Sequence, residues 1–508
     1  MSGDEQGPSG PDLTKGVPAH DVAEGAKLVG HVGGDDVLVT RVDGELFAVG
    51  AHCTHYHGPL GDGLIVGHTV RCPWHHAHFC LRTGEALAGP AIDPVGAWEV
   101  ETHDGKIFVI ARAPEPAKPK AAKGPHRVLI AGGGAAGFAA AEMLRRRGFD
   151  GSLTMVSADS DAPYDRPNCS KDYLAGEAPP EWMPLRGDGW YADNDIDLRL
   201  NTEITALDLA ARTAGLRGGA SLSFDALVLA LGAEPQRPPI PGFDQPTVHT
   251  LRSLKDAGAI IAAAEKAKRV AIVGASFIGL EVAASLRHRG IEVHVAAPED
   301  IPLARVLGDD LGRWIQRLHE DKGVIFHLGR KVLGYQNGRL GLDEGPGIEA
   351  DFIVAGTGVR PRTALAEAAG LKVDKGVVVD ARLRASEPNV YAVGDLARFP
   401  DPTTGELIRV EHWVHAERQG QHAARALLGD DAPFTDTPFF WSAHYDAKIN
   451  YVGHAEAFDP PKVEGSLAKQ DAIIRYIKDT TPLAVATVGR DLDSLKASLG
   501  FETALQRA

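Results

Sequence analysis

Short apolar runs separated by Gly and Asp-Gly turns fill the first part of the chain. Residues 37–42 and 46–49 are two such runs, and Asp43-Gly44 lies between them. Asp-Gly between two strand-like runs indicates a β-hairpin, because both turn residues readily adopt a positive φ. The pattern predicts a small all-β domain at residues 16–112, preceded by a polar, disordered tail at 1–15.

Further along, the pattern changes to strand, Gly-rich turn, helix and strand, and this unit occurs twice. The first unit runs from a strand at 127–131 through a helix at 135–147 to a strand at 152–157. The second begins with a strand at 269–273 and ends with one at 292–296. Two βαβ units predict two Rossmann-like dinucleotide-binding domains.

The chain is therefore predicted to be multidomain: an all-β domain, an α/β reductase with two dinucleotide-binding domains, and an α+β C-terminal domain. A Pro/Ala/Lys-rich linker is predicted at 113–126. The first dinucleotide-binding domain is expected at 127–245 and 356–430, the second at 246–355 and the C-terminal domain at 431–508.

Two short loops in the all-β domain each carry one Cys and one His, Cys53-Thr-His55 and Cys72-Pro-Trp-His75. A Rieske [2Fe-2S] cluster binds two thiolates on one iron and two imidazoles on the other, which these loops supply symmetrically. A zinc site is the alternative, although zinc sites usually place paired Cys before paired His. We predict Cys53, His55, Cys72 and His75 as cluster ligands.

The text around these loops, 53–60 and 72–78, resembles Rieske ferredoxins. His57 stands where high-potential relatives carry an extra Cys, so the resemblance implies the lower-potential type. His76 stands where that family usually has Gly, which is a departure in the second loop.

The first Gly-rich turn, with Gly132, Gly134 and Gly137, follows a strand and opens a helix, as a dinucleotide fingerprint requires. A later strand runs into Gly394-Asp395, which places an acceptor for the ribityl chain of FAD. Asp159 is the nearest acid to the expected ribose position. These residues predict an FAD site.

The second turn carries Gly274, Ser276 and Gly279, with Ser at the middle Gly position. Because Ser is small, a close phosphate approach is strained but allowed. This turn is predicted to bind NAD(P)H. Glu299, just beyond the following strand, favours NADH, and NADPH is the alternative.

From Arg127 onward the chain resembles the FAD-dependent pyridine nucleotide–disulfide reductase superfamily, and within it the apoptosis-inducing-factor and ferredoxin-reductase branch. The resemblance rests on the text at 163–171, 250–253, 355–361, 389–395, 412–413 and 438–441. It implies transfer of electrons from NAD(P)H through FAD to the chain's own cluster, and then to an external acceptor.

The resemblance also implies roles for single residues. Lys171 and Glu281 match a charged pair beside the flavin, and Phe277 matches an aromatic side chain between flavin and nicotinamide, with core packing as its alternative. Further cofactor contacts are expected at Arg166, Arg252, Gly358, Asp395, Trp413 and Trp441.

Cys169 lies near the expected flavin position and allows a second hypothesis, a peroxide or disulfide reductase. Burial as a small apolar residue is the interpretation that we favour. A third hypothesis is a non-enzymatic, redox-sensing signalling flavoprotein.

Composition narrows the choice of partners. The 508 residues include 53 basic and 68 acidic ones, a net charge of -15, which argues against nucleic acid or an anionic membrane as the main partner. The sequence shows neither a secretory signal nor a membrane span, so we expect a cytoplasmic protein. A homodimer, if one forms, is expected to use the C-terminal domain.

Overall fold

The computed structural model describes residues 9–114, 116–117, 120 and 124–507. The chain divides into two compact units. Unit 1 is Met1–Pro119 with Arg490–Ala508, and unit 2 is Lys120–Gly489. Residues 1–8 of the predicted tail, and 115, 118–119 and 121–123 of the predicted linker, lie outside the described residues. No helix among the described residues is long and apolar enough to cross a membrane.

Unit 1 is built from two antiparallel sheets, with strand orders β1-β10-β9-β4-β3-β2 and β5-β6-β7-β8. The Asp43-Gly44 hairpin forms as predicted, since Val42 pairs with Glu45. The strands are β1 (Val17–Pro18), β2 (Lys27–Val32), β3 (Asp35–Val42), β4 (Glu45–Gly50), β5 (Leu64–Val66), β6 (Thr69–Arg71), β7 (His78–Cys80), β8 (Ala86–Ala88), β9 (Ala97–His103) and β10 (Lys106–Arg112).

The central strands of unit 1 are buried on both faces. Leu38 and its neighbours pack towards the Cys/His loops, whereas Val37 and Val39 pack on the other face with Leu13. Because Leu13 is fully buried and Asp12 caps a short 3₁₀ helix at Leu13–Lys15, the prediction of a disordered tail is wrong for this stretch. Burial of the Leu13 side chain in this core gives the stretch a fixed structure.

The C-terminal helix, Asp491–Arg507, belongs to unit 1. Glu502 accepts two hydrogen bonds from Arg71, at 2.9 and 2.7 Å, and the Ser494 hydroxyl lies 3.1 Å from His76 Nε2. The prediction of a C-terminal domain at 431–508 is therefore wrong for its last helix, which belongs to the all-β unit. Contacts between residues hundreds of positions apart decide this, and local pattern does not reveal them.

The first nucleotide-binding region of unit 2 has a parallel sheet of order β13-β12-β11-β17-β29, in which β29 is Val390–Ala392. Its first segment contains β11 (Arg127–Ala131), α1 (Ala135–Arg146), β12 (Ser152–Val156), α2 (Asp172–Ala175), α3 (Trp190–Asp193), β13 (Ile196–Arg199), β14 (Ile204–Asp208), β15 (Thr213–Leu216), β16 (Ser221–Ser223), β17 (Ala226–Leu229) and β18 (Ala233–Pro235).

The second nucleotide-binding region repeats the design, with a parallel sheet of order β19-β26-β20-β21-β22. It contains β19 (Val248–His249), α4 (Leu254–Ala264), β20 (Arg269–Val273), α5 (Phe277–His288), β21 (Glu292–Ala296), α6 (Ala304–Leu307), α7 (Asp309–Asp321), β22 (Ile325–His327), β23 (Val332–Gln336), β24 (Arg339–Leu342), β25 (Ile348–Glu349), β26 (Phe352–Ala355) and β27 (Val359–Pro361).

The chain then returns to the first sheet through α8 (Ala364–Ala368), β28 (Val377–Val378), β29 (Val390–Ala392), β30 (Ala397–Pro400), β31 (Leu407–Ile408) and α9 (Trp413–Leu427). Helices α1 and α9 pack closely, because a Cβ at Gly420 would lie 2.1 Å from the Ala136 carbonyl oxygen. An antiparallel sheet of order β32-β33-β36-β35-β34 ends the unit, with β32 (Phe439–His444), β33 (Ala447–Gly453), β34 (Lys462–Ser466), β35 (Asp471–Lys478) and β36 (Thr481–Val488).

Candidate redox sites

The two Cys/His loops of unit 1 share one backbone design. Each Cys N–H donates at 2.8 Å to the carbonyl five positions on, and His57 and His76 each turn back to hydrogen-bond the carbonyl of their own Cys. Both His residues have a positive φ, 57° and 58°. His76 therefore adopts the left-handed turn for which the resembling family uses Gly.

The four predicted cluster ligands meet between these loops. His55 Nδ1 and His75 Nδ1 lie 3.1 Å apart, and the thiols of Cys53 and Cys72 are within hydrogen-bonding reach of each other. Among the described residues no group of three or more His, Cys, Asp or Glu surrounds a single metal ion. A Rieske cluster places only two protein ligands on each iron, so the paired arrangement fits it.

The electrostatics of these side chains agree with that use. The adjacent Cys72 thiol, together with burial, raises the pKa of Cys53, and burial lowers the pKa of His55 to about 3. His55 is therefore neutral, which is the form of imidazole that binds metal. The thiols of Cys53 and Cys72 lie close together, and bound metal cations would hold them as thiolates. A Cβ at Gly58 would lie 2.7 Å from Cys72 Sγ, so Gly is required there.

In unit 2, the two Gly-rich turns open on one cavity of about 1440 Å³. Most of the cofactor contacts predicted from the sequence line it: Gly132, Gly134, Asp159, Arg166, Lys171, Arg252, Ser276, Phe277, Glu281, Gly358, Gly394, Asp395, Trp413 and Trp441. Gly137, Gly274 and Gly279 lie behind the lining and shape the turns. The volume accommodates a large ligand.

The first turn leaves space at the start of α1. A Cβ at Gly137 would lie 1.9 Å from the Gly132 carbonyl oxygen, so packing demands Gly there. A Cβ at Gly134 would meet only Arg166 Nη2, at 3.8 Å. Protein atoms therefore leave the helix N-terminus open for a pyrophosphate, and the residues present fit a dinucleotide.

In the second turn, the Ser276 side chain makes hydrogen bonds to the backbone. Ser276 Oγ donates to the Gly356 carbonyl at 2.8 Å and accepts from the Gly279 N–H at 3.2 Å. Its φ of -78° is ordinary, so Ser fits this position without backbone strain. Ser276 is the N-cap of α5.

Two charged groups predicted as flavin contacts pair with each other at the cavity wall. Arg252 Nη2 donates to Asp395 Oδ2 at 2.6 Å, and the N–H of Gly394 donates to Gln419 Oε1 at 2.7 Å. Burial lowers the pKa of Arg252 from its ordinary value, and Asp395 counters this. The pair fixes the Gly394-Asp395 turn against the cavity.

Lys171 and Glu281 form an ion pair that faces the cavity. Lys171 Nζ donates to Glu281 Oε2 at 2.8 Å and stands 6.0 Å from the centre of the Trp441 ring. Ser170 and Ser442 donate to the same carboxylate at 2.6 and 2.7 Å. The Glu281 carboxylate thus accepts from three donors, and it pairs with the Lys171 ammonium at the cavity wall.

Phe277 opens α5 and packs edge-to-face against Phe440, with 5.0 Å between ring centres. It also contacts an apolar cluster of α7 and the C-terminal sheet while lining the cavity. Both expectations for Phe277, core packing and ligand contact, are thus compatible with its position.

The two acids expected near the riboses differ in placement. Asp159 lines the cavity at the end of β12 and accepts from Tyr164 OH at 3.0 Å. Glu299 is exposed beyond β21 and does not line the cavity. Asp159 therefore faces the cavity, as a ribose contact would require, whereas the position of Glu299 lends no support to its predicted role.

Cys169 is buried and does not line the cavity. It packs with Tyr164, Met183 and Ala257, and burial raises the pKa of its thiol to about 12. A protonated, enclosed thiol is a poor nucleophile. Its position favours the apolar interpretation over peroxide chemistry.

Sequence reasoning missed three polar residues behind Glu281, namely Ser442, His444 and His319. All three are almost completely buried. The signal for the first two was their spacing, since residues two apart in a strand share one face.

The chain matches two protein-family models. One, described as a pyridine nucleotide-disulphide oxidoreductase, covers residues 126–420. The other, described as a Rieske [2Fe-2S] domain, covers residues 14–102.

Similar proteins cover much of the chain. Apoptosis-inducing factor 3 of Homo sapiens is 30% identical over 95% of this chain and 83% of its own length. Rhodocoxin reductase of Rhodococcus erythropolis is 34% identical over 73% and 88%. The crystal structure of the covalent putidaredoxin reductase–putidaredoxin complex contains a chain that is 32% identical, with a TM-score of 0.72 over 74% of this chain and 93% of that one.

Proposed function

Because this chain belongs to the pyridine nucleotide-disulphide oxidoreductase family and carries a Rieske [2Fe-2S] domain, we propose that it is a reductase that passes electrons from NADH through FAD to its own cluster and on to an external acceptor protein. The enzyme class and cofactors follow from the family. The route through the cluster, the acceptor and the preference for NADH are the proposal.

The observation that carries the proposal is the shared cavity. Gly134 of the first turn and Ser276 of the second line the same space, together with Lys171 and Glu281. A flavin held by one turn and a nicotinamide held by the other would therefore occupy one enclosure. Such an arrangement brings reacting groups together and excludes water.

FAD, when bound, supplies the chemistry that a protein side chain cannot, accepting a hydride and releasing its electrons one at a time. The Lys171 ammonium would stabilise negative charge that arrives in the cavity, and Glu281 would keep that ammonium in place. The Arg252–Asp395 pair would hold the turn that contacts the cofactor.

An acceptor protein is supported by the relatives. In the putidaredoxin reductase–putidaredoxin complex, a reductase similar to this chain is joined to a second protein. In this chain Cys53, His55, Cys72 and His75 would hold a [2Fe-2S] cluster within the same polypeptide.

Replacing one ligand tests the route. We expect Cys72→Ser to keep NADH–ferricyanide reduction, which needs only flavin, and to reduce a protein acceptor such as cytochrome c at least about tenfold more slowly. The matched control is Cys80→Ser, at a Cys outside both loops, which should change neither rate.

Equal cytochrome c rates in Cys72→Ser and the unaltered protein would show that electrons bypass the cluster. Comparing NADH with NADPH as donor in the same assay tests the donor preference, since the proposal expects a higher kcat/KM with NADH.

A further inference from the structure

A continuous chain of hydrogen-bonded side chains starts at Glu281 and leads away from the cavity. Ser442 Oγ lies 2.7 Å from Glu281 Oε1 and 3.1 Å from His444 Nε2. His444 Nδ1 lies 3.1 Å from His319 Nε2, and Tyr445 OH lies 3.3 Å from His319 Nδ1. Four successive contacts thus connect Glu281 with Tyr445.

Three elements of unit 2 assemble this chain. Ser442 and His444 share one face of β32, because they are two residues apart. Tyr445 follows directly, with a φ of 58°, in the turn to β33. His319 comes from α7 and Glu281 from α5. The chain therefore depends on packing of the C-terminal sheet against two helices.

One end of the chain is in the cavity and the other is close to solvent. Ser442 is 1% exposed, and His319 and His444 are 0% exposed. Tyr445 is partly exposed, and the exposed Lys322 lies 5.6 Å from the centre of its ring. No water is needed to bridge the buried contacts.

The hydrogen bond at the cavity end sets the direction of every other bond. The Ser442 hydroxyl donates to Glu281 Oε1, so His444 Nε2–H donates to Ser442. His444 Nδ1 then accepts from His319 Nε2–H, and His319 Nδ1 accepts from Tyr445. Each intermediate group both donates and accepts, which is the requirement for passing a proton along.

Burial keeps both imidazoles neutral. It lowers the pKa of His444 to about 3 and also lowers the pKa of His319, while the pKa of Tyr445 is raised. A neutral imidazole has one N–H and one bare nitrogen, so it can receive a proton on one side and release one on the other.

We propose that Ser442, His444, His319 and Tyr445 form a proton relay between Glu281 and the protein surface. This inference rests on the proposed function, because a hydride brings two electrons to the cavity and thereby one added negative charge. The relay would compensate that charge with one proton on Glu281.

The transfer balances as follows. Tyr445 gives its proton to His319 and regains one from water; His319 passes its Nε2 proton to His444, His444 its Nε2 proton to Ser442, and Ser442 its proton to Glu281. Each N–H or O–H group of the relay then points towards the protein surface. The same hydrogen bonds can therefore return the proton to water when the two electrons leave. The hydrogen nucleus delivered with the hydride is a separate proton, released once per turnover.

The test measures proton uptake directly. The holoenzyme is mixed anaerobically with NADH in weakly buffered solution with a pH-indicator dye, while flavin absorbance is followed. We expect uptake of about one proton per flavin reduced, and uptake slowed about tenfold or more in Ser442→Ala and Tyr445→Phe. Tyr335→Phe is the matched control, since the Tyr335 hydroxyl donates to the Ala350 carbonyl outside the relay.

The outcomes separate the relay from the proposed function. Flavin that stays oxidised with NADH contradicts the proposed function, whereas flavin that bleaches without proton uptake contradicts the relay alone. Equal uptake rates in Tyr445→Phe and Tyr335→Phe would also overturn the relay.

A second readout does not depend on turnover. ¹⁵N NMR of the resting protein should show His319 and His444 as neutral Nε2–H tautomers. An imidazolium or an Nδ1–H tautomer at either position would break the derived direction of the chain and overturn the proposal.

Discussion

The two Gly-rich turns of unit 2 both follow a strand and both line the same cavity. They differ in the side chain at the start of the following helix and in its hydrogen bonds. At the first turn Gly134 has no side chain, and only Arg166 stands near its missing Cβ. At the second, Ser276 caps its own helix and ties the turn to Gly356. The first turn thus leaves its helix N–H groups for a ligand, whereas the second satisfies one of them itself.

Under the proposed function, this difference would suit an FAD that stays bound at the first turn and a nicotinamide cofactor that exchanges at the second. An open helix N-terminus is a strong anion site. A capped N-terminus has one fewer free donor, which suits a cofactor that must leave after each hydride transfer.

The largest expected effect comes from the last glycine of the first turn, which close packing requires. Gly137→Val should strongly destabilise the fold, because its Cβ would lie 1.9 Å from the Gly132 carbonyl oxygen. We expect a loss of about 3 kcal/mol or more in the free energy of unfolding. Urea denaturation followed by circular dichroism measures it, with Gly258→Ala, on an open face of α4, as control. Similar stability of both variants would contradict the packing argument.

A smaller effect separates ligand space from packing. Gly134→Val should fold but lose most of its FAD, because the added side chain fills space that protein atoms leave open. The flavin-to-protein absorbance ratio after purification measures this loss. A folded variant with full flavin content would show that the first turn does not hold the pyrophosphate.

The smallest effect is expected at the second turn. Ser276→Ala removes two hydrogen bonds and the N-cap of α5. It should cost about 1 kcal/mol of stability and change KM for NADH more than flavin content. Thermal unfolding and steady-state kinetics measure both quantities. Loss of FAD from this variant would contradict the division of roles between the turns.

Local sequence patterns were sufficient for the dinucleotide folds and the paired Cys/His loops. Gly132 and Gly274 mark tight turns with a positive φ, 119° and 104°. In the first Cys/His loop, both predicted ligands lie within three residues, Cys53-Thr-His55. The all-β domain and both βαβ units were predicted correctly for that reason. Asp-Gly turns and apolar periodicity act over short distances.

Features that depend on contacts between residues far apart in the sequence could not be predicted from it. Leu13 is ordered by the core of unit 1, and the C-terminal helix joins that unit through Arg71 and His76. The relay joins His319 to His444 across more than a hundred positions. Periodicity within a segment does not encode which other segment it contacts.

An anaerobic NADH titration followed by visible and EPR spectroscopy tests the central claim most directly. We expect flavin absorbance to bleach and a reduced Rieske signal to appear, about one spin per cluster, because one iron pair accepts one electron. A flavin that bleaches fully while the EPR spectrum stays silent, or iron-free protein that holds zinc, would contradict the account.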